Sequence, residues 1–413
     1  MKLPNPLRRL FGAEKKMTSL DLFREVYGGR ASKAGVKVNV ETAMGVTTAL
    51  ACGRVIADGI AQVPFRLYRE TEAGKEKAID HPLYRLLYRR PNNWQSAFEF
   101  RETLALHLVF TGNAFVFVNR VGRDRKIREL VLIEPERVKV KKDDFDRFTY
   151  EVSADKGDTQ VFPAEAIWHL RGPSWNGWQG MEVIKLARDA LGLSIQLEQN
   201  QAEFGKSGAK VGGLLSVKDT LNKEQYEFLA SWLEEYEIGG KRYNKPMILD
   251  RGAEFMSTSM SGVDQQLIET RKHQVEEVCR AFRVMPIMVG FTDKTATYAS
   301  SEQMFLAHVV HTLSPWYERI EQSADNNLLS EDEIRAGYYT KFSPNALMRG
   351  AAKDRAEYYS RGLGSGGVKG WLTQNDVREM EEMNRSDDPD ADRLPQPSNV
   401  TNPADQGTGG QNA

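Results

Sequence analysis

Few residues in this chain stand at spacings that chemistry could use. Phe204-Gly205-Lys206-Ser207-Gly208 holds a Gly-Lys-Ser triplet, the end of a phosphate-cradling loop. Such a loop needs another glycine five residues before the triplet, and Asn200 stands there. It also needs a strand before it, whereas the preceding run has helical periodicity. A helix C-cap at Gly205 or Gly208 accounts for these glycines. Ser207 has Gly205 two residues before it but Ala209 two after, and Ser365 has Gly367 after but Leu363 before. Neither completes a nucleophile elbow. His308 and His311 lie one helical turn apart, but Glu302 and Glu318 are more than a turn away, so packed polar positions are expected rather than metal ligands. His81, His107, His169 and His273 are scattered. Cys52 and Cys279 lie in apolar-periodic segments and read as buried thiols of a reducing compartment. No catalytic residue, cofactor or metal is expected.

Charge carries more information than motif. The 413 residues hold 56 Lys+Arg and 57 Asp+Glu, a net charge of -1. That balance argues against wrapping nucleic acid by bulk attraction. It does not rule out a protein that merely lets nucleic acid pass. The segment Asn222–Glu237 is an acidic helix carrying Glu224, Glu227, Glu234 and Glu235 with no lysine after Lys223. It is either a solvated face or a docking surface. Basic residues gather before Gly35 and between Arg120 and Arg147, where ten Lys/Arg alternate with seven Asp/Glu and the field is weak. No apolar run is long enough for a membrane span, since His107, Thr111, Gly112 and Asn113 interrupt Leu104–Val118. The N-terminus has Pro4 and Pro6 but no signal-type apolar core.

The elements that would position these residues follow from periodicity. Residues 1–40 read as a loosely attached arm. A helix is expected over Thr42–Gln62, ended by Pro64, then a strand at Phe65–Tyr68 and helices from His81 and over Ser96–Val109. Short strands follow at 114–118, 129–133, 138–140, 148–152 and 167–170. Trp175 and Trp178 flank a glycine-rich hinge, where packing is a better reading than ligand stacking. A helix from Met181 to Phe204, about 36 Å long, has one apolar face at Ile184, Ala187, Leu191 and Ile195. A second face holds Leu186, Ala190, Leu193 and Leu197. Two such faces need neighbours on both sides, which copies in a ring would supply. A strand–helix–strand insertion (208–258, its last strand at 246–250) is bracketed by a second long helix, Gln265–Phe282, carrying Leu267, Val275 and Val278. A helix over 300–329 with a kink at Pro315 and a last helix capped by Thr373 complete the pattern, and the chain after Arg385 reads as disordered.

In consistent order, TAMGVTTALACGRVIADGIAQVPFRLYR (42–69), HPLYRLLYRRPNNWQSAFEFRE (81–102), LHLVFTGNAFVFVNR (106–120), LARDALGLSIQLEQNQAEFGKSGAKVGGLL (186–215) and SGVDQQLIETRKHQVEEVCRAFRVMPIMVG (261–290) resemble portal proteins of tailed bacteriophages of the HK97 type. LSPWYERIEQSADNNLL (313–329) and GWLTQNDVREMEEMN (370–384) extend the resemblance to about residues 40–385. It implies a mixed α+β portal fold assembling as a ring of about twelve subunits around a channel for double-stranded DNA. The implied partners are the terminase large subunit, a head–tail connector and the major capsid protein at one capsid vertex. On that pattern 1–40 is a flexible arm, 41–180 the wing, 181–207 a stem helix, 208–260 the clip and 261–284 the second stem helix. Residues 285–299 are the tunnel loop, 300–336 a long kinked helix, 337–385 the crown and 386–413 a disordered tail. Thr292, Asp293, Lys294 and Thr295 would then face the channel, and the acidic clip helix would dock partners. Val284-Met285-Pro286 departs from the double proline expected there. Another capsid or baseplate protein, or a hydrolase whose site the motifs do not reveal, are the alternatives.

Overall fold

The structure is a computed structural model. It describes residues 32–72, 74–154, 159–207, 213–216, 222–234, 254–257, 263–291, 298–344, 352–364, 369–381 and 383–395. The chain divides into two units, residues 1–342 and 343–413.

In the first unit, α1 (Val40–Gly45) opens with a reciprocal cap between Asn39 and Thr42, and α2 (Thr47–Ala61) follows. The single helix expected here is broken at Val46, which is buried in an extended conformation. Strands β1 (Phe65–Thr71) and β2 (Gly74–Lys77) precede α3 (Pro82–Tyr88), and α4 (Ala97–Thr111) is capped by Ser96 with Glu99. Then come β3 (Asn113–Val121), β4 (Lys126–Ile133), β5 (Val138–Lys142), β6 (Phe148–Ser153), β7 (Thr159–Pro163) and β8 (Ile167–Arg171). β2 and β7 lack the apolar alternation that marks the other strands and are not legible in the sequence. Antiparallel sheets β4-β3-β8 and β5-β6-β7 share a core of Phe115, Tyr150 and Ile167, flanked by Phe117, Ile133, Val138, Val140, Phe148 and Phe162. Trp178 packs on Phe148 whereas Trp175 is exposed.

The long helix expected from Met181 is two helices, α5 (Val183–Leu186) and α6 (Arg188–Ser207), separated at Ala187 where ψ is 11°. The end of the N-terminal arm is not loose. Ser32 is buried against Gly192 of α6, where any Cβ would lie 2.3 Å from its hydroxyl, and the Lys33 N–H donates to Asp189. Beyond α6 come β9 (Gly213–Ser216), α7 (Lys223–Glu234), β10 (Glu254–Ser257) and α8 (Val263–Phe282). β9 and β10 pair antiparallel; the strand expected at 246–250 lies outside the described residues.

Where a kink is expected at Pro315, the structure has a change of helix type. α9 (Tyr298–His308) passes into a π-helical turn, Val309–Leu313, before α10 (Ser314–Leu328). Proline lacks the N–H that an α-helix would use and crowds the preceding turn, so the turn widens. Ser314 N–H donates to the Val309 carbonyl across the wide turn. α11 (Glu331–Arg335) follows, then β11 (Tyr338–Phe342) pairs with β1 to give the order β11-β1-β2. Residues 338–342 are therefore a strand of the first unit, and the range 337–385 does not begin a separate body at its first residue.

A buried carboxylate docks β11 on α10. Glu321 accepts from Phe342 N–H at 2.7 Å and from Lys341 Nζ at 2.6 Å. Burial keeps Glu321 above the usual carboxylate range despite the ammonium, while the same contact pushes Lys341 up. Lys341→Met leaves that carboxylate unpaired. The expected loss is about 1–2 kcal/mol rather than the full cost of a broken buried pair, because Lys341 is half exposed and water screens it. The shift in urea midpoint at pH 7 measures it.

The second unit contains α12 (Ala352–Gly362) and α13 (Gln374–Met380), the latter capped reciprocally by Thr373 and Asp376. The expected disorder after Arg385 does not hold for 386–395. Asn375 is fully buried, its amide N–H2 donates to Ser386 O and Asp392 Oδ1, and its oxygen accepts from Ser386 N–H. One buried amide thus orders a polar segment that composition alone reads as unfolded. Residues 396–413 lie outside the described residues.

Candidate stem and channel elements

α6 and α8 pack on each other, and α8 packs on α2. Ile184, Leu191 and Val278 are buried, Ile195 and Val275 half-buried; the side chain of Leu267 lies outside the described residues. Phe282 meets Phe110 edge-on at 5.6 Å, joining the end of α8 to α4. The second apolar face is different. Leu186 is 42% exposed, Leu193 37%, and Ile268 on α8 57%. Among the described residues these side chains keep part of their apolar surface in water, and burying the remainder of each would contribute about 1 kcal/mol.

The joint between β8 and α5 is built backbone to backbone. Gly172 N–H donates to Gly112 O at 2.8 Å, and a Cβ on Gly180 would lie 1.8 Å from that same oxygen. Asn113 Oδ1 accepts from Gly180 N–H at 2.8 Å, and its amide donates back to Gly180 O. Asn113 Oδ1 also faces His169 Nε2 at 3.0 Å, while Tyr150 OH lies 3.3 Å from Nδ1. Because Asn113 Oδ1 accepts, His169 carries its proton on Nε2 and Tyr150 donates to Nδ1. Burial, helped by Arg171, lowers the His169 pKa to about 3. The hinge glycines are legible in sequence. Their contact with Gly112, some sixty residues upstream, is not.

After α8, Arg283 has φ 55° and Val284 N–H returns to Cys279 O, so the helix ends in a left-handed residue. Pro286–Val289 forms one 3-10 turn closed by Gly290 at φ 80°. Thr292, Asp293, Lys294 and Thr295 lie outside the described residues. On α9 and the π turn, Met304, Phe305, Leu306 and Val310 are exposed, whereas His308 is buried with neither ring nitrogen hydrogen-bonded. His308 and His311 gather no third ligand, and among the described residues no group of three His, Cys, Asp or Glu could hold a metal.

On α7, Glu224 and Glu227 are exposed, with Lys223 4.0 Å from Glu227, and Asn222 and Gln225 cap each other. Tyr226 and Phe228 are exposed beside them. The side chain of Glu234, and Glu235 altogether, lie outside the described residues.

The mixed α+β fold has solved counterparts. It matches the chain in the neck of an empty gene transfer agent particle computed with C6 symmetry, with a TM-score of 0.59 and 22% identity, over 87% of this chain and 95% of that one. It also matches the neck of the native particle computed with C12 symmetry, with a TM-score of 0.55 and 19% identity, over 88% and 99%. The portal protein of Enterobacteria phage HK97 is 29% identical over 355 residues, 84% of this chain and 80% of that protein. The phage portal protein family model matches residues 47–382, and the chain belongs to that family. It is thus a structural protein of the viral capsid with the family's general role in genome packaging.

Proposed function

We propose that the chain assembles through α6, α8 and α9 into a twelve-subunit ring at one capsid vertex, enclosing a channel through which double-stranded DNA enters and leaves. Residues 41–180 and 300–336 form the wing in this reading, together with β11, which pairs with β1; 181–207 and 261–284 form the stem, 208–260 the clip and 343–385 the crown. The clip, with exposed Glu224 and Glu227, docks the terminase large subunit and later the head–tail connector, while the wing meets the major capsid protein. Residues 285–299 form the tunnel loop, where Lys294, repeated around the ring, touches phosphates without gripping them. The role is structural, with no catalytic step.

One observation carries the assembly: Leu186, Leu193 and Ile268 are exposed on the helices whose opposite faces are already buried. The C12 symmetry of the similar neck structure supports the number twelve. Native mass measurement of the purified chain is expected to give a closed ring. Electron microscopy of that ring is expected to place 292–295 on its lumen and 208–260 at one end. A monomer at micromolar concentration, or a ring with 292–295 on its outer wall, would sink the reading.

A further inference from the structure

The chain has two cysteines, 227 residues apart, and the fold sets their sulfurs 3.8 Å from each other. Cys52 lies in the middle of α2, Cys279 in the last turn of α8, and both are buried. Every other thiol pairing within the chain is therefore excluded. The Cys52 S–H donates to Cys279 Sγ. That contact holds Cys279 below its ordinary range and, with burial, pushes Cys52 well above.

We propose that Cys52 and Cys279 are a cross-linking site: exposed to a hydroperoxide, they form an intrachain disulfide that ties the last turn of α8 to α2. The sulfurs need to close by about 1.8 Å to reach a bond of about 2.05 Å. Their burial selects the oxidant, since a bulky disulfide has no path to either sulfur whereas hydrogen peroxide is hardly larger than two waters. The Cys279 thiolate attacks one peroxide oxygen, the O–O bond breaks, and the leaving hydroxide takes up the proton Cys279 released, as water. Cys52 sulfur then attacks the resulting sulfenic sulfur, and the hydroxyl departs with the Cys52 proton as water. Two thiols and one peroxide become one disulfide and two waters, with two electrons passing from sulfur to oxygen.

The consequence is mechanical. Cys279 O already accepts the N–H of Val284, so a bond at Cys279 fixes the turn through which α8 passes into Pro286–Val289. Made reduced in a cell and oxidised outside it, the protein would gain a staple after assembly.

The purified full chain is treated with hydrogen peroxide, quenched, denatured and alkylated. The expected result is a mass lower by two hydrogens, no alkylation, and a peptide linking Cys52 to Cys279 that dithiothreitol separates. The thermal midpoint is expected to rise by about 5 °C, and neither Cys52→Ala nor Cys279→Ala shows the rise. Free thiols after peroxide, separate oxidation to sulfinic acids, disulfides between chains, or a disulfide without a higher midpoint each overturn the proposal.

Discussion

Arg101→Met is expected to lower folding stability by about 3 kcal/mol, the largest effect of any single substitution considered. Arg101 is buried on α4, and its described hydrogen-bond partners are carbonyls rather than carboxylates. Its guanidinium donates from Nε (3.2 Å) and Nη2 (2.7 Å) to the carbonyl of Ala61, the last residue of α2. Nη1 donates at 3.1 Å to the carbonyl of Leu87, in the last turn of α3. Carbonyls at helix C-termini have no intrahelical donor and carry the negative end of the helix dipole. One buried cation therefore closes two helices at once. Methionine fills much of the volume but leaves both carbonyls orphaned in a dry site. The cation is itself disfavoured there, burial lowering its pKa to about 10, which trims the net effect. Arg101→Lys restores charge but not the fork, and recovers only part of the loss. Urea midpoints of the three proteins at pH 7 decide it; equal midpoints for wild type and Arg101→Met would refute the capping role.

Acid weakens the first unit before carboxylates of ordinary pKa begin to protonate. His169, with a folded pKa of about 3, and His107, lowered by burial to about 4, both stay neutral where an unfolded imidazole is charged. The unfolded chain thus binds protons that the folded chain refuses. Stability is complete above the unfolded value of about 6.5 and falls as pH drops towards the folded values. At pH 5, His169 alone accounts for about 2 kcal/mol of loss relative to pH 8, and His107 adds in the same direction. Glu321 and Asp325, held high by burial, pull the other way, because their protonation favours the folded state as pH falls. His169→Gln isolates the imidazole, since glutamine still offers one donor to Asn113 and one acceptor to Tyr150. The variant is expected to lose about 2 kcal/mol less than wild type between pH 8 and pH 5. Denaturant midpoints at both pH values test this, and the same pH slope for variant and wild type would refute it.

Arg101, Asn113 and His169 carry no motif, and nothing in their local sequence marks them. Their importance comes from partners far along the chain: Ala61 for Arg101, Gly180 and His169 for Asn113. A polar residue inside an apolar run reads the same whether it is tolerated at a surface or anchors a buried network. β2 and β7 are illegible for a related reason: their side chains lie largely in water, so no apolar alternation marks them.

What periodicity and punctuation already contained was the order of elements: the capped helices at Ser96 and Thr373, the strand run between 113 and 171, and two long helices around a small insertion. These are local properties, set by propensity, capping and the period of apolar residues. The ordered set of segments also pointed to the family. Folding in three dimensions supplied the rest. It placed Ser32 on Gly192, returned β11 to β1, and brought Cys52 to Cys279. Each depends on a long-range contact whose partner is chosen by shape and burial, and no short window of sequence records that choice.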